Sequence, residues 1–225
     1  MKRLATIITA VCLAFSLSAC GNVQNSTSNQ TEQKATVSSN TAKAGGKAIS
    51  VYFSRVGNTE FPDDVDAISS ATLNRKNGEL KGNAQLIAEW AADEAGCETF
   101  EIVTEESYPS DYDQTVDFAK EEQSQNKRPA LKNALKDVEN YSTVYLTFPN
   151  WWADMPMAVY SFFDAYDFSG KTINVFITHE GSGFSRTIDT IRELEPNAVV
   201  TEAVAVRGGN ASNEENTIRE WVKSH

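Results

Sequence analysis

The chain has 225 residues with 20 Lys and Arg against 31 Asp and Glu, a formal net charge of −11, and 40% hydrophobic residues. That charge excludes nucleic acid as a natural partner and disfavours electrostatic attraction to anionic lipid. With three cysteines and two histidines spread along the sequence, neither a disulfide framework nor a Cys/His metal cluster is expected.

In chain order, Lys2 and Arg3 precede an apolar stretch from Leu4 to Leu17, and small residues follow at Ser18 and Ala19. These are the zones of an export signal, and the apolar part is short for a membrane span. The ending Leu17-Ser18-Ala19-Cys20 resembles the bacterial lipobox, which implies cleavage before Cys20, lipid on its sulfur, and an extracytoplasmic chain anchored to the cell membrane. Loss of Lys2 and Arg3 would deepen the negative charge, so the lipid would carry the membrane attachment. Residues 20–46 are polar and small apart from Val23 and Val37, and are expected to form a flexible tether. The organisation expected is thus 1–19 signal, 20–46 tether with lipidated Cys20, and 47–225 folded domain. Within that domain Cys97 is the single cysteine, expected as a buried spacer.

From Ala48 onward, short β-branched runs alternate with amphipathic stretches. The spacing predicts strands at Ala48–Phe53, Thr99–Val103, Thr143–Phe148, Thr172–Ile177 and Ala198–Ala203. Helices are predicted at Asn83–Glu94, Tyr112–Gln123, Met155–Ala165, Ser185–Leu194 and Glu214–Lys223. Strict alternation of this kind gives an α/β fold with a doubly wound five-stranded parallel sheet, strand order 2-1-3-4-5, whose ligand lies at the carboxyl ends of the strands. Met155, Met157 and Tyr160 have core spacing, and the acidic run Asp111, Asp113, Asp117, Glu121 and Glu122 reads as a solvated helix face.

The loops at those carboxyl ends carry the unusual residues. Behind the first strand stands Ser54-Arg55-Val56-Gly57-Asn58-Thr59, a turn of small and hydroxyl residues able to cradle a phosphate. After the third comes Thr147-Phe148-Pro149-Asn150-Trp151-Trp152-Ala153-Asp154-Met155-Pro156, where two adjacent tryptophans offer a flat apolar face. After the fourth comes Thr178-His179-Glu180-Gly181-Ser182-Gly183-Phe184-Ser185, whose glycines permit close backbone approach to an aromatic ring.

Together these motifs resemble the flavodoxin family, whose phosphate loop has the form Ser/Thr-x-Thr-Gly-x-Thr; Ser54, Gly57 and Thr59 match three of its fixed positions and Val56 replaces the middle Thr. The resemblance covers essentially Lys47 to His225 and implies FMN as cofactor, with Ser54, Arg55, Gly57, Asn58 and Thr59 at the phosphate and Pro149, Asn150, Trp151, Trp152, Thr178, Glu180, Gly181 and Gly183 at the ring. Arg55 either pairs with the phosphate or points to solvent. His179 is either a proton donor or a structural histidine, and Glu180 either bonds a flavin nitrogen or sits in solvent. No catalytic residue is singled out, and no Walker A or Gly-x-Gly-x-x-Gly pattern occurs.

One stretch departs from a compact flavodoxin: Glu60 to Lys81 separates the loop from the first helix, with turn signals at Pro62 and Asn77-Gly78 and no helical period. An inserted hairpin is expected there, with the dipole of the first helix lost to the phosphate or displaced from it, and Asn83 capping that helix. Asp66 to Thr72 is similar to segments that carry covalent FMN on a final Thr, although Ser70 replaces a Gly; the plainer reading is a segment lining the cleft. The function expected is electron transfer at the outer membrane face with a redox partner protein or a membrane quinone. The alternatives are an FMN-dependent quinone or small-molecule reductase, and a flavin-independent module for small anions.

Overall fold

The computed structural model describes residues 46–65 and 72–225. The described residues belong to one compact unit. The expected signal, the tether with Cys20 and most of the Asp66–Thr72 segment lie outside the described residues.

The core element is a sheet of five parallel strands, β1 (Lys47–Phe53), β4 (Glu98–Ile102), β5 (Tyr141–Pro149), β6 (Thr172–His179) and β7 (Val199–Arg207). Their spatial order β4-β1-β5-β6-β7 is the predicted 2-1-3-4-5. The central strands are continuous apolar runs because both faces are covered: Val51, Phe53, Leu146, Phe148, Val175 and Ile177 are fully buried. One face packs on α2 (Tyr112–Ser124), α3 (Met157–Ala165) and α4 (Thr187–Leu194); the other lies under α1 (Asn83–Ala95) and α5 (Glu215–Ser224). A fully buried aromatic such as Phe148 contributes about 1.5–3 kcal/mol in transfer free energy alone.

Element ends differ from the sequence expectation where local chemistry intervenes. The third helix begins at Met157, because Pro156 holds an extended ψ of 142° as its N-cap, so Met155 belongs to the preceding loop. The last strand runs to Arg207, four residues beyond the predicted end, since pairing with β6 continues to His179 opposite Arg207 and Ala203 to Ala205 stay half-buried with Val206 buried. Cys97 is only half-buried, and burial pushes its thiol up to about 11.

The insertion is a hairpin, as the Asn-Gly signal predicts. Strands β2 (Leu73–Lys76) and β3 (Glu79–Gly82) pair antiparallel, and Asn77 and Gly78 both take positive φ, 54° and 84°, as a two-residue type I′ turn requires. Gly82 rather than Asn83 occupies the N-cap of α1. Asn83 instead ties the hairpin to the far side of the sheet, accepting from Asn74 Nδ2 and donating to the Gly208 carbonyl. Its backbone N–H is taken by the Thr72 carbonyl at 2.9 Å.

The hairpin therefore returns α1 to the loop behind β1 rather than displacing it. Gly82 presses so closely on Ser54 Oγ that any Cβ there would collide with it, and Ala84 shares a small cavity with Ser54, Arg55, Thr72 and Thr178. The positive end of α1 thus lies beside the first loop, contrary to the expectation that the insertion removes it.

Candidate functional site

The carboxyl ends of β1, β5 and β6 lie side by side and enclose a cleft of about 180 Å³, lined by residues that include Arg55, Tyr112, Thr115, Pro149, Asn150, Trp151, Trp152, Thr178, His179 and Glu180. The loop behind β1 contains one turn of 3-10 helix at Val56–Asn58. Its shape is set by Asn58, which is buried and spends its whole side chain internally. Nδ2 donates to the Ser54 and Ile102 carbonyls at 2.8 and 2.9 Å, while Oδ1 accepts from Thr104 N and Thr104 Oγ1 at 2.8 and 3.0 Å. Asn58 is therefore a structural lock between β1 and β4, and no donor of its side chain remains for a ligand.

Arg55 is buried, which corrects the reading that it points to solvent. One guanidinium nitrogen donates to the Pro109 carbonyl and Thr115 Oγ1, both at 2.9 Å, and the group lies over the Phe61 ring. Ser54 Oγ accepts from Val56 N at 3.2 Å. Gly57 is selected by contact rather than by positive φ, since a Cβ would run into the Glu101 carboxyl. That carboxyl, opposite Tyr52 in the register, approaches the Gly57 amide and the Tyr52 hydroxyl, and burial raises its pKa.

In the second loop, the Pro149 ring closes β5, and Trp151 and Asp154 exchange backbone hydrogen bonds at 2.9 and 3.0 Å. Closing that turn places Trp152 and Ala153 in the left-handed region at φ 51° and 64°, at about 1–2 kcal/mol per residue. Asp154 holds the turn: its buried carboxylate accepts from Met155 N, Tyr160 Oη and Arg186, each at 2.8 Å. Burial, with Asp154 beside it, pushes the Tyr160 phenol up to about 12. Trp151 packs edge-on against Phe53 and Tyr108, while Trp152 is 41% exposed at the cleft.

The third loop is joined to the second by Asn150, which donates through N to the Thr178 carbonyl and through Nδ2 to the Gly183 carbonyl. Gly181 and Gly183 have φ of 124° and 59°; no protein atom lies within 4 Å of a Cβ at either, so conformation selects glycine there. His179 Nδ1 accepts from Gly181 N at 2.8 Å, which leaves Nε2 as the protonated nitrogen of the neutral ring. Glu180 is exposed and lies 3.8 Å from Arg207.

Whether these residues suit FMN is tested by atoms that the protein itself leaves unpaired. Among the described residues six buried side-chain atoms have no hydrogen-bond partner; four of them, Arg55 Nε, Thr59 Oγ1, Asn150 Oδ1 and Thr178 Oγ1, belong to the ends of β1, β5 and β6. Buried polar atoms are paired in native proteins, so the unpaired atoms of Arg55, Asn150 and Thr178 in the cleft lining, with Thr59 in the loop behind β1, match a polyhydroxyl phosphate with an aromatic ring. Tyr112, Thr115 and Val116 also line the cleft from α2, a contribution that no sequence motif signalled.

Glu101 gives this site a pH signature. Its folded-state pKa lies above that of the unfolded chain, so its contribution to stability is complete below the ordinary carboxylate range and is lost as pH rises through the raised value. Glu101→Gln should therefore gain thermal stability over the parent as pH rises above the ordinary carboxylate range, about pH 4. Unfolding temperatures measured from there upward check it; a difference that is flat or grows toward acid contradicts the assignment.

The family described as flavodoxin matches residues 78–225, from the hairpin turn onward. No curated protein matches the chain. Solved structures similar to it include a Bacteroides uniformis protein assigned as a flavoprotein, 23% identical over 80% of this chain and 99% of that one, with a TM-score of 0.60. Another is a Lactobacillus acidophilus flavoprotein in complex with FMN, 18% identical over 76% of this chain and 99% of that one, with a TM-score of 0.51. These likenesses establish the fold, and the family match, which spans well over half of the sequence, establishes the rest: the chain belongs to the flavodoxin family, the FMN-binding flavoproteins.

Proposed function

We propose that the chain binds FMN in the cleft at the ends of β1, β5 and β6 and transfers electrons at the extracytoplasmic face of the membrane, held there by lipid on Cys20. The observation that carries the cofactor part is the set of buried, unpaired atoms Arg55 Nε, Thr59 Oγ1, Asn150 Oδ1 and Thr178 Oγ1. Bound FMN supplies the redox chemistry through its ring.

Thr59 Oγ1, Arg55 and Ser54, with the positive end of α1 beside them, would hold the phosphate. Arg55 is already oriented by Pro109 and Thr115, so little side-chain entropy is lost on binding. Asn150 Oδ1 and Thr178 Oγ1 would meet polar atoms of the ligand, Trp152 would cover an apolar face, and the proton at His179 Nε2 is available as a donor. The electron donor or acceptor is a redox partner protein or a membrane quinone, since reduced nicotinamides are cytoplasmic reductants.

Titrating the purified full chain with FMN should quench flavin fluorescence. Thr59→Val, which keeps the shape and removes one hydrogen bond to a charged group, should weaken Kd roughly tenfold or more. Absence of quenching by the parent chain would leave the anion-binding alternative. Cys20→Ser should move the protein from the membrane to the soluble fraction; retention on the membrane contradicts lipid anchoring.

A further inference from the structure

Glu122 departs from the solvated acidic face expected of α2. It is 4% exposed, turned inward, and its Oε2 accepts a hydrogen bond of 2.8 Å from the hydroxyl of Tyr108, itself buried. Burial pushes both groups up, the Glu122 carboxyl and the Tyr108 phenol. A carboxylate is a costly way to satisfy one phenol, because a glutamine or a backbone carbonyl would accept the same hydrogen bond without a buried charge. What a carboxylate adds is the ability to take the proton.

The Tyr108 ring continues toward the cleft through other aromatic rings. Its centroid is 5.7 Å from Trp151 in an edge-to-face arrangement, and Trp151 is 6.1 Å from Trp152. Phe53 fills the angle between Tyr108 and Trp151, 5.8 and 5.5 Å from them, and excludes water from the contact. Tyr108 is fixed at the backbone by its N–H to the Asn58 carbonyl at 2.8 Å. Trp152, exposed and lining the cleft, ends the series.

We propose that Trp152, Trp151 and Tyr108 form a relay that draws an oxidising equivalent from the cleft into the protein, with Glu122 as the proton acceptor. A one-electron oxidant in the cleft, such as a light-excited flavin, removes one electron from Trp152, and Trp151 refills it. Tyr108 then gives one electron to Trp151 while its O–H bond breaks and the proton passes to Glu122 Oε2. The products are a neutral tyrosyl radical, a neutral carboxylic acid and restored indoles. Return of one electron and that proton reverses the sequence, so the exposed Trp152 is spared irreversible oxidation. The identity of the natural oxidant rests on the FMN reading; the relay among the side chains does not.

The relay is tested in the full chain without FMN, using a flash-generated ruthenium(III) polypyridyl complex as soluble one-electron oxidant and transient absorption to follow indolyl and tyrosyl radicals. The parent should show the indolyl signal decaying into a tyrosyl signal. Tyr108→Phe should abolish the tyrosyl signal and prolong the indolyl one. Glu122→Gln, which keeps the hydrogen bond and the volume, should do the same if Tyr108→Phe folds poorly. Tyr141→Phe, removing a half-buried tyrosine away from the cleft, should leave the signals unchanged. A tyrosyl signal that survives Tyr108→Phe or Glu122→Gln, or that vanishes in Tyr141→Phe, overturns the relay. Failure of FMN to bind would appear in the separate titration and leave this result standing.

Discussion

The position of β1 between β4 and β5 is the constraint on which the rest of the molecule depends. The chain leaves β1 toward one side of the sheet and later returns to the other, so the loops after β1 and β5 diverge and open a crevice at the strand ends. Every residue of the cleft is placed by that divergence, and one side chain keeps it in shape. Asn58 joins the loop behind β1 to the end of β4 through four hydrogen bonds, two donated and two accepted. A buried amide with all its groups satisfied is a rigid cross-brace, because breaking any one bond leaves a polar atom without water.

The second and third loops are held with the same economy. The Asp154 carboxylate closes the Trp151–Asp154 turn and reaches Arg186 in the following loop, while Asn150 reaches Gly183. The two loops consequently move as one unit, and left-handed backbone at Trp152 and Ala153 is tolerated because the surrounding bonds over-determine it. Rigid loops around a cleft suit a cofactor whose properties must be held constant.

The fold was legible because its signals are local. Fully buried parallel strands read as unbroken apolar runs, helices between them show their period, and Asn77-Gly78 marks a hairpin through the positive φ that both residues adopt. The site was legible only where its residues follow a strand end in sequence. Tyr112, Thr115 and Val116 reach the cleft from α2, and nothing near them in the chain announces it. The inward turn of the Asn58 side chain was not legible, because a loop motif does not say which of its polar side chains turn inward. Glu122 was misread because charge on a mostly exposed helix suggests solvent, and only the tertiary structure brings Tyr108 to it. The return of α1 to Ser54 is likewise a tertiary outcome, set by the hairpin's anchoring to Gly208 through Asn83.

The central claim is that the strand-end cleft is built around FMN, with four protein atoms awaiting it. A crystal structure of the full chain with FMN tests this most directly. The account predicts the phosphate within hydrogen-bonding distance of Thr59 Oγ1 and Arg55 Nε, and ligand atoms paired with Asn150 Oδ1 and Thr178 Oγ1 beside Trp152. FMN bound elsewhere, or bound there with those four atoms still unpaired, would contradict it.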